Sequence, residues 1–198
     1  MPRWQPMVIA IALTALFTAP SCIAIQQLAA LHAVTFAFAG LSDVRVAGVR
    51  IGPEASLSTL TISEAARVGA AVATGDVPLE MIAHVSARNP PANTVSARMV
   101  DLGWTLFIGG RQSLAGRLQS PVELTPGRAV DVPLSVRLNL LEFGSGGARD
   151  LYELALAIAG QGQLQKDLRL ELVPAIQTSL GPIQYPVPVV VRRGATTP

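Results

Sequence analysis

The chain has almost no lysine: among its fifteen basic residues Lys166 is the only one, and the arginines are scattered rather than gathered into a block. With a formal charge of only +2, that spread excludes the basic face a nucleic-acid partner needs. Aromatic residues are scarce as well, at 5%, so the stacking platforms that hold single strands are missing. Cysteine occurs once, at Cys22, which excludes an internal disulfide and a multi-cysteine zinc site. With only His32 and His84, no histidine-rich metal centre is expected either. Charge of either sign is low, 14%, while half of the residues are hydrophobic. That balance excludes a disordered solvating chain and permits one substantial core in 198 residues.

What is present begins with an address. Arg3 lies in a short positive segment, an apolar run follows from Met7 to Thr18, and small residues come next, which is the anatomy of an export signal. Ala19-Pro20-Ser21-Cys22 resembles a bacterial lipobox, in which a small residue precedes a cysteine that is lipidated and becomes the mature N-terminus. Two other readings stay open. The run continues through Ile23 and Ile25 to about 19 residues, close to the ~20 that cross a bilayer, so an uncleaved anchor is one. Simple secretion is the other. Under lipidation, acyl chains at ~0.8 kcal/mol per buried methylene give durable attachment. With no Asp after Cys22, an outer-membrane lipoprotein facing the periplasm is the expected location, against inner-membrane anchoring or secretion.

Beyond a tether at residues 22–32, the body of the chain, 33–193, alternates with the two-residue period of strands that have one buried face. Val34, Phe36 and Phe38 form a first strand, and Val44, Val46, Val49 and Ile51 a second, with a bulge or bend at Gly48. The period then becomes helical over Leu57, Leu60, Ile62, Ala65, Ala66, Val68 and Ala70, where Thr61-Ile-Ser-Glu64 matches a capping box and Gly75 is the stop. Alternation resumes cleanly from Val77 to Ala87, with Glu80, His84, Ser86 and Arg88 on the wet side. Asn89-Pro90-Pro91 must end that strand, because asparagine caps the backbone locally and proline has no N–H for a continuing ladder.

Further strands are expected on either side of the Gly109-Gly110 turn and after Pro126-Gly127. A second helix follows Gly144–Gly147 and stops at Gly160. Leu164 to Leu172 forms a strand, Pro174 to Ser179 a loop, and the segment from Ile183 to Val191 a last strand kept at an edge by its prolines, before a polar tail at 194–198. Strand follows strand without regular intervening helices. The fold expected is mainly β: an immunoglobulin or fibronectin III-like β-sandwich of about seven to eight strands with two short helices.

Four stretches then carry a likeness across most of the mature chain: "VRVAGVRIG", "IAHVSARNPP", "LGWTLFIGGRQSLAGRL" and "LVPAIQTSLGPIQYPVPV". In their order and spacing the sequence resembles the late embryogenesis abundant (LEA) type 2 group, also called the water-stress and hypersensitive-response (WHy) domain. Asn89 and Pro90 occupy the family's Asn-Pro motif. The chain departs from the pattern at Pro91, where the family commonly has Asn or an aromatic, and in a longer helix at Thr61 to Ala73. The resemblance implies a binding or protective protein linked to dehydration, cold or other stress. It implies no catalytic residue and no cofactor.

Each candidate for chemistry has a plainer explanation. His84 is the best available base, flanked by Glu80, Ser86 and Arg88, yet no G-x-S-x-G elbow accompanies it and a solvated strand face explains it better. Gly144 to Asp150 lacks the Lys-Ser or Lys-Thr of a phosphate loop and reads as a connector and helix entry. Trp104 reads as a core anchor. The function expected is a non-enzymatic cell-envelope lipoprotein, held to the membrane through lipidated Cys22 or an N-terminal anchor, that protects stress-labile proteins or membranes in desiccation. The alternative is an envelope adaptor or carrier with a lipid or apolar ligand between its sheets.

Overall fold

The structure, a computed structural model, describes residues 33–118, 120–161, 165–178 and 181–194. The export signal, Cys22, the tether with His32, Leu164 and the tail beyond Gly194 lie outside the described residues.

Two antiparallel sheets pack face to face. The first has the order β2-β1-β3-β7, from β1 (Thr35–Val46), β2 (Val49–Arg50), β3 (Pro78–Arg88) and β7 (Ala129–Asn139). The second has the order β10-β8-β4-β5, from β4 (Ala97–Ile108), β5 (Arg111–Leu118), β8 (Leu168–Thr178) and β10 (Val189–Arg192). In it β6 (Val122–Leu124) also pairs with β4, and β9 (Gly181–Gln184) with β8. The expected sandwich is therefore the fold. It has ten strands among the described residues rather than seven or eight, because both outer edges of the second sheet are broken by proline. Pro121 separates β5 from β6 along one side of β4, and Pro186 and Pro188 separate β9 from β10 along one side of β8.

Alternation predicts the inner faces well. Leu79, Met81, Ala83, Val85 and Ala87 of β3 meet Val132, Leu134, Val136 and Leu138 of β7 across a ladder with no register shift, and all are buried. From the other sheet Met99, Leu102, Trp104, Leu106, Leu168, Leu170 and Leu172 close the core. Trp104 is a core anchor, as expected, 7% exposed. Turn chemistry holds as well. Gly109 and Gly110 both lie at positive φ, 57° and 80°, as a two-residue hairpin of matching twist requires.

Three expectations fail, each for a physical reason. The residues expected as a first strand, Val34 to Phe38, and the start of the second, Val44 and Val46, are not separate: β1 runs on as one twelve-residue strand that absorbs two register shifts, at Phe38/Gly40 and Ser42/Arg45, and the hairpin turn comes later, at Ala47-Gly48. Pro174 does not start a loop. It sits inside β8 where that strand exchanges β10 for β9 as its neighbour, so the missing N–H falls at a break already present, and its carbonyl accepts from Tyr185 N at 2.8 Å. In the first helix, α1 (Ile62–Thr74), Ile62 is 92% exposed and only Val68 is buried. Leu57 and Leu60 precede the helix, so the apolar series does not lie along one helical face.

The cap of α1 is as read. Thr61 Oγ1 accepts from Glu64 N at 3.3 Å while the Glu64 carboxylate accepts from Thr61 N at 2.9 Å and Thr61 Oγ1 at 2.7 Å, and Gly75 ends the helix at φ 75°. Those two bonds from Thr61, the hydroxyl's first, hold the Glu64 carboxyl below its ordinary value. The stability this linkage supplies is complete above the ordinary carboxyl range and is lost as pH falls through the lowered value. Thr61→Ala is expected to cost about 1 kcal/mol, read as a lower urea midpoint at pH 7 with an unchanged slope.

The second helix, α2 (Ala148–Ala159), packs on α1, on β1 and on a 3-10 turn at Leu140–Glu142. Tyr152 is buried in it, and that burial, with Glu64 nearby, raises the tyrosine's pKa. Arg193, just after β10, reaches the last turn of α2 and donates to Ile158 O, a cation placed at a helix C-terminus where the dipole favours it.

Candidate functional site

Of the residues singled out by sequence, Cys22 lies outside the described residues, Asn89 is structural, and His84 has partners that the sequence reading does not name.

Asn89 is fully buried, and it closes the corner where β3 leaves its sheet. Its Nδ2 donates to Leu124 O of β6 at 2.7 Å and to Val95 O at 3.3 Å, and Asn93 Nδ2 donates to its Oδ1. Its main chain accepts from Gly127 N at 2.9 Å and donates to Arg128 O at 3.2 Å. One side chain thus joins the end of the first sheet to β6 of the second. Pro90 ends the ladder, and its carbonyl accepts from Asn93 N in the turn that follows. Gly127 sits at φ 76° with Arg128 N bonded to Thr125 O, a tight turn with Pro126 and Gly127 at its centre. The Asn-Pro motif is explained by chain reversal, without a ligand.

The glycine-rich entry to α2 is capped by the helix's own carboxylate. Asp150 accepts from Gly147 N at 3.0 Å, so the helix N-terminus is occupied by its own carboxylate.

Among the described residues, the outer face of the first sheet carries a cluster with the atoms of acid–base chemistry. His84 projects outward from the middle of β3, with β1 on one side and β7 on the other. Its Nε2 lies 2.7 Å from Ser42 Oγ on β1, and its Nδ1 lies 2.7 Å from Asp131 Oδ2 on β7. Neither partner is directly opposite. Gly40 and Pro133 take those places, while Ser42 faces Ile82 and Asp131 faces Ser86, so the imidazole spans two diagonals. A proton on Nδ1 satisfies both bonds, donated to Asp131 while Nε2 accepts from the serine hydroxyl. Glu80, one of the neighbours named from sequence, is instead paired with Arg137 at 2.8 Å.

The cluster is half open to solvent, with the His84 side chain 27% exposed and that of Asp131 55%. Two open grooves lie near it, one of them lined by Ser42 and neither by His84 or Asp131. One of about 380 Å³ runs between Asp43, Arg45, Glu80, Ile82, Ser135 and Arg137. The other, about 270 Å³, lies between Leu41–Val44, Arg50–Pro53 and the residues Ala159 and Gln161 at the end of α2. Neither is lined by residues of the second sheet. No set of three or more His, Cys, Asp or Glu side chains converges to hold a metal among the described residues. Nor, among them, is any helix long and apolar enough to cross a membrane.

No family model and no curated protein matches the chain. Among solved structures it is similar to a protein from Archaeoglobus fulgidus, with 20% identity over 58% of this chain and 82% of that one, at a TM-score of 0.35. It is similar to AT1g01470 from Arabidopsis thaliana, with 17% identity over 60% and 69% of the two chains, at 0.39. A candidate late embryogenesis abundant (LEA) protein, At2g46140.1, gives 13% identity over 87% and 76%, at 0.38. The sandwich assignment rests on this chain's own strand order and core.

Proposed function

We propose that this chain is a LEA type 2-like lipoprotein of the cell envelope that shields stress-labile proteins or the membrane surface during water loss. The observation that carries the reading is how its surface is built. Both sheets bury their main apolar series inward, and their outer faces, though Ile82, Ile183 and Val190 are partly or fully exposed, carry paired charges: Glu80 with Arg137 and His84 with Asp131 on one, Asp101 with Arg117 and Arg169 with Glu171 on the other. Exposed pairs of this kind add about 0–1 kcal/mol each to folding, so stability does not explain them. They do give a rigid body two hydrated faces that stay soluble and keep offering hydrogen bonds as bulk water is lost. A carrier between the sheets is less favoured, since neither described groove is lined by residues of both sheets.

Where β1 begins is compatible with attachment through Cys22. Thr35 pairs with Arg88, next to Asn89, so the chain enters the domain at the Asn89 corner. Thirteen residues from Cys22 span at most about 47 Å at ~3.6 Å each, which keeps the sandwich close to the surface that holds it.

One preparation tests both halves. The intact mass of the chain extracted from membranes is expected to begin at Cys22 and to include acyl chains; a mass beginning at Met1 without them rejects the lipoprotein. Dried with a labile enzyme, the chain is expected to preserve its activity well above an equal mass of an unrelated soluble protein. Equal losses with both reject the protective task.

A further inference from the structure

We propose that Ser42 is a nucleophile, activated by His84 and oriented through Asp131, that takes acyl groups from small carboxylic esters. The protective reading does not depend on this, and either can fail alone.

The atoms stand in the order that the chemistry needs. The serine oxygen meets Nε2 at 2.7 Å and the carboxylate meets Nδ1 at 2.7 Å, so the base is held by one nitrogen and works with the other. Each residue comes from a different strand of one sheet, and the ladders rather than a loop fix their spacing. An exposed ion pair between His84 and Asp131 alone would need no hydroxyl at Nε2.

Ser42 is also placed unusually. It is the last residue of β1 paired with β3 before the register shifts, and Asp43 and Val44 have no partner on β3. Asp43 stands at φ 50°, the left-handed region. A bulge re-aims side chains, and bulges gather beside active sites. The groove of about 270 Å³ is lined by Ser42 itself, with Leu41, Ile51 and Pro53 among its apolar walls. His84 and Asp131 do not line it, so it meets the triad at Ser42 alone, and a volume below the ~300–1,000 Å³ of sites for drug-sized ligands suits short acyl chains.

The step balances without any co-reactant but water. As Ser42 Oγ bonds to the carbonyl carbon, its proton passes to His84 Nε2 and the C=O pair moves onto oxygen. Collapse restores C=O and breaks the bond to the leaving alcohol, which takes that proton. Water then attacks the acyl-serine, losing a proton to Nε2, and the proton returns to Oγ as the acid departs. Asp131 keeps its charge throughout and faces the imidazolium.

The test treats the full chain with a fluorophosphonate, which forms an Oγ–P bond as fluoride leaves, and locates the adduct by peptide mass. Hydrolysis of p-nitrophenyl acetate is followed in parallel. An adduct on Ser42 is expected, absent in Ser42→Ala. In His84→Gln both labelling and hydrolysis are expected to fall by about 100-fold or more, the share a general base supplies. Asp131→Asn is expected to lower kcat by about tenfold or more at unchanged KM while its urea midpoint stays that of the unaltered chain, so that loss of folded protein does not account for the drop. No adduct at Ser42 in the unaltered chain overturns the proposal without reference to any variant. So does an adduct that forms equally fast in His84→Gln, which would mark Ser42 as exposed and nothing more.

Discussion

Asn89→Ala is expected to lower the free energy of unfolding by about 3–4 kcal/mol, a substantial share of the ~5–15 kcal/mol that a marginally stable domain holds in reserve. The estimate comes from what the truncation leaves behind. Asn89 is the only polar or charged side chain among the fully buried described residues, and its Nδ2 serves two carbonyls, Leu124 O and Val95 O, that belong to a different part of the sandwich. Alanine removes both donors and cannot admit a wide water path in their place, so each carbonyl loses a partner at about 1–3 kcal/mol. Asn93, half-buried, can turn its amide to solvent, and its loss is smaller. Asn89→Asp separates shape from bonding, since it keeps the volume while turning a donor into an acceptor facing two carbonyls. It should cost at least as much. Urea unfolding of both variants checks this, as a lower midpoint with an unchanged slope. A loss under about 1 kcal/mol would mean that water reaches those carbonyls and that the corner is not held by this residue.

That Asn89 ends a strand is legible in sequence, and what it bonds to is not. The break needs only the asparagine and the prolines after it, which are local facts. The bond to Leu124 spans 35 residues and depends on β6 reaching the side of β4. The same division separates the other successes from the misses. Val77 to Ala87 shows its buried face by alternation, and Thr61 and Glu64 show their cap by spacing, because both signals lie within one element. Ile62 is misplaced because an alanine-rich helix has several faces that are equally apolar, and contact with α2 decides among them. Ser42, His84 and Asp131 are the extreme case. They are 42 and 47 residues apart along the chain, and two register shifts in β1 bring the serine to the imidazole. His84 was visible as a lone base on a wet face; the strand order that supplies its partners was not.

Gly116→Val is the other substitution expected to cost several kcal/mol, and here the cause is space alone. Gly116 of β5 lies opposite Trp104 of β4, and the indole occupies the space a side chain there would take. A Cβ at Gly116 would stand 2.2 Å from Cζ2 and 2.5 Å from Cε2 of that ring. Its φ is not in the left-handed region, so a side chain meets no backbone strand penalty there beyond the contact. The ring cannot simply yield, because it is 7% exposed and held among Leu106, Leu172 and their neighbours in a core packed at a density of ~0.74. Overpacking by one methyl costs about 1–3 kcal/mol, so Gly116→Ala should fall in that range and Gly116→Val above it. Trp104→Leu gives the decisive comparison. Alone it opens a cavity and is destabilising by about 2–4 kcal/mol; combined with Gly116→Ala, the added methyl enters space the indole has left. The double variant should therefore lose less than the sum of its parts, by about 1–2 kcal/mol. Strict additivity would mean that the indole and this glycine do not touch, and the second sheet would then need another reason for a residue without a side chain in the middle of an edge strand.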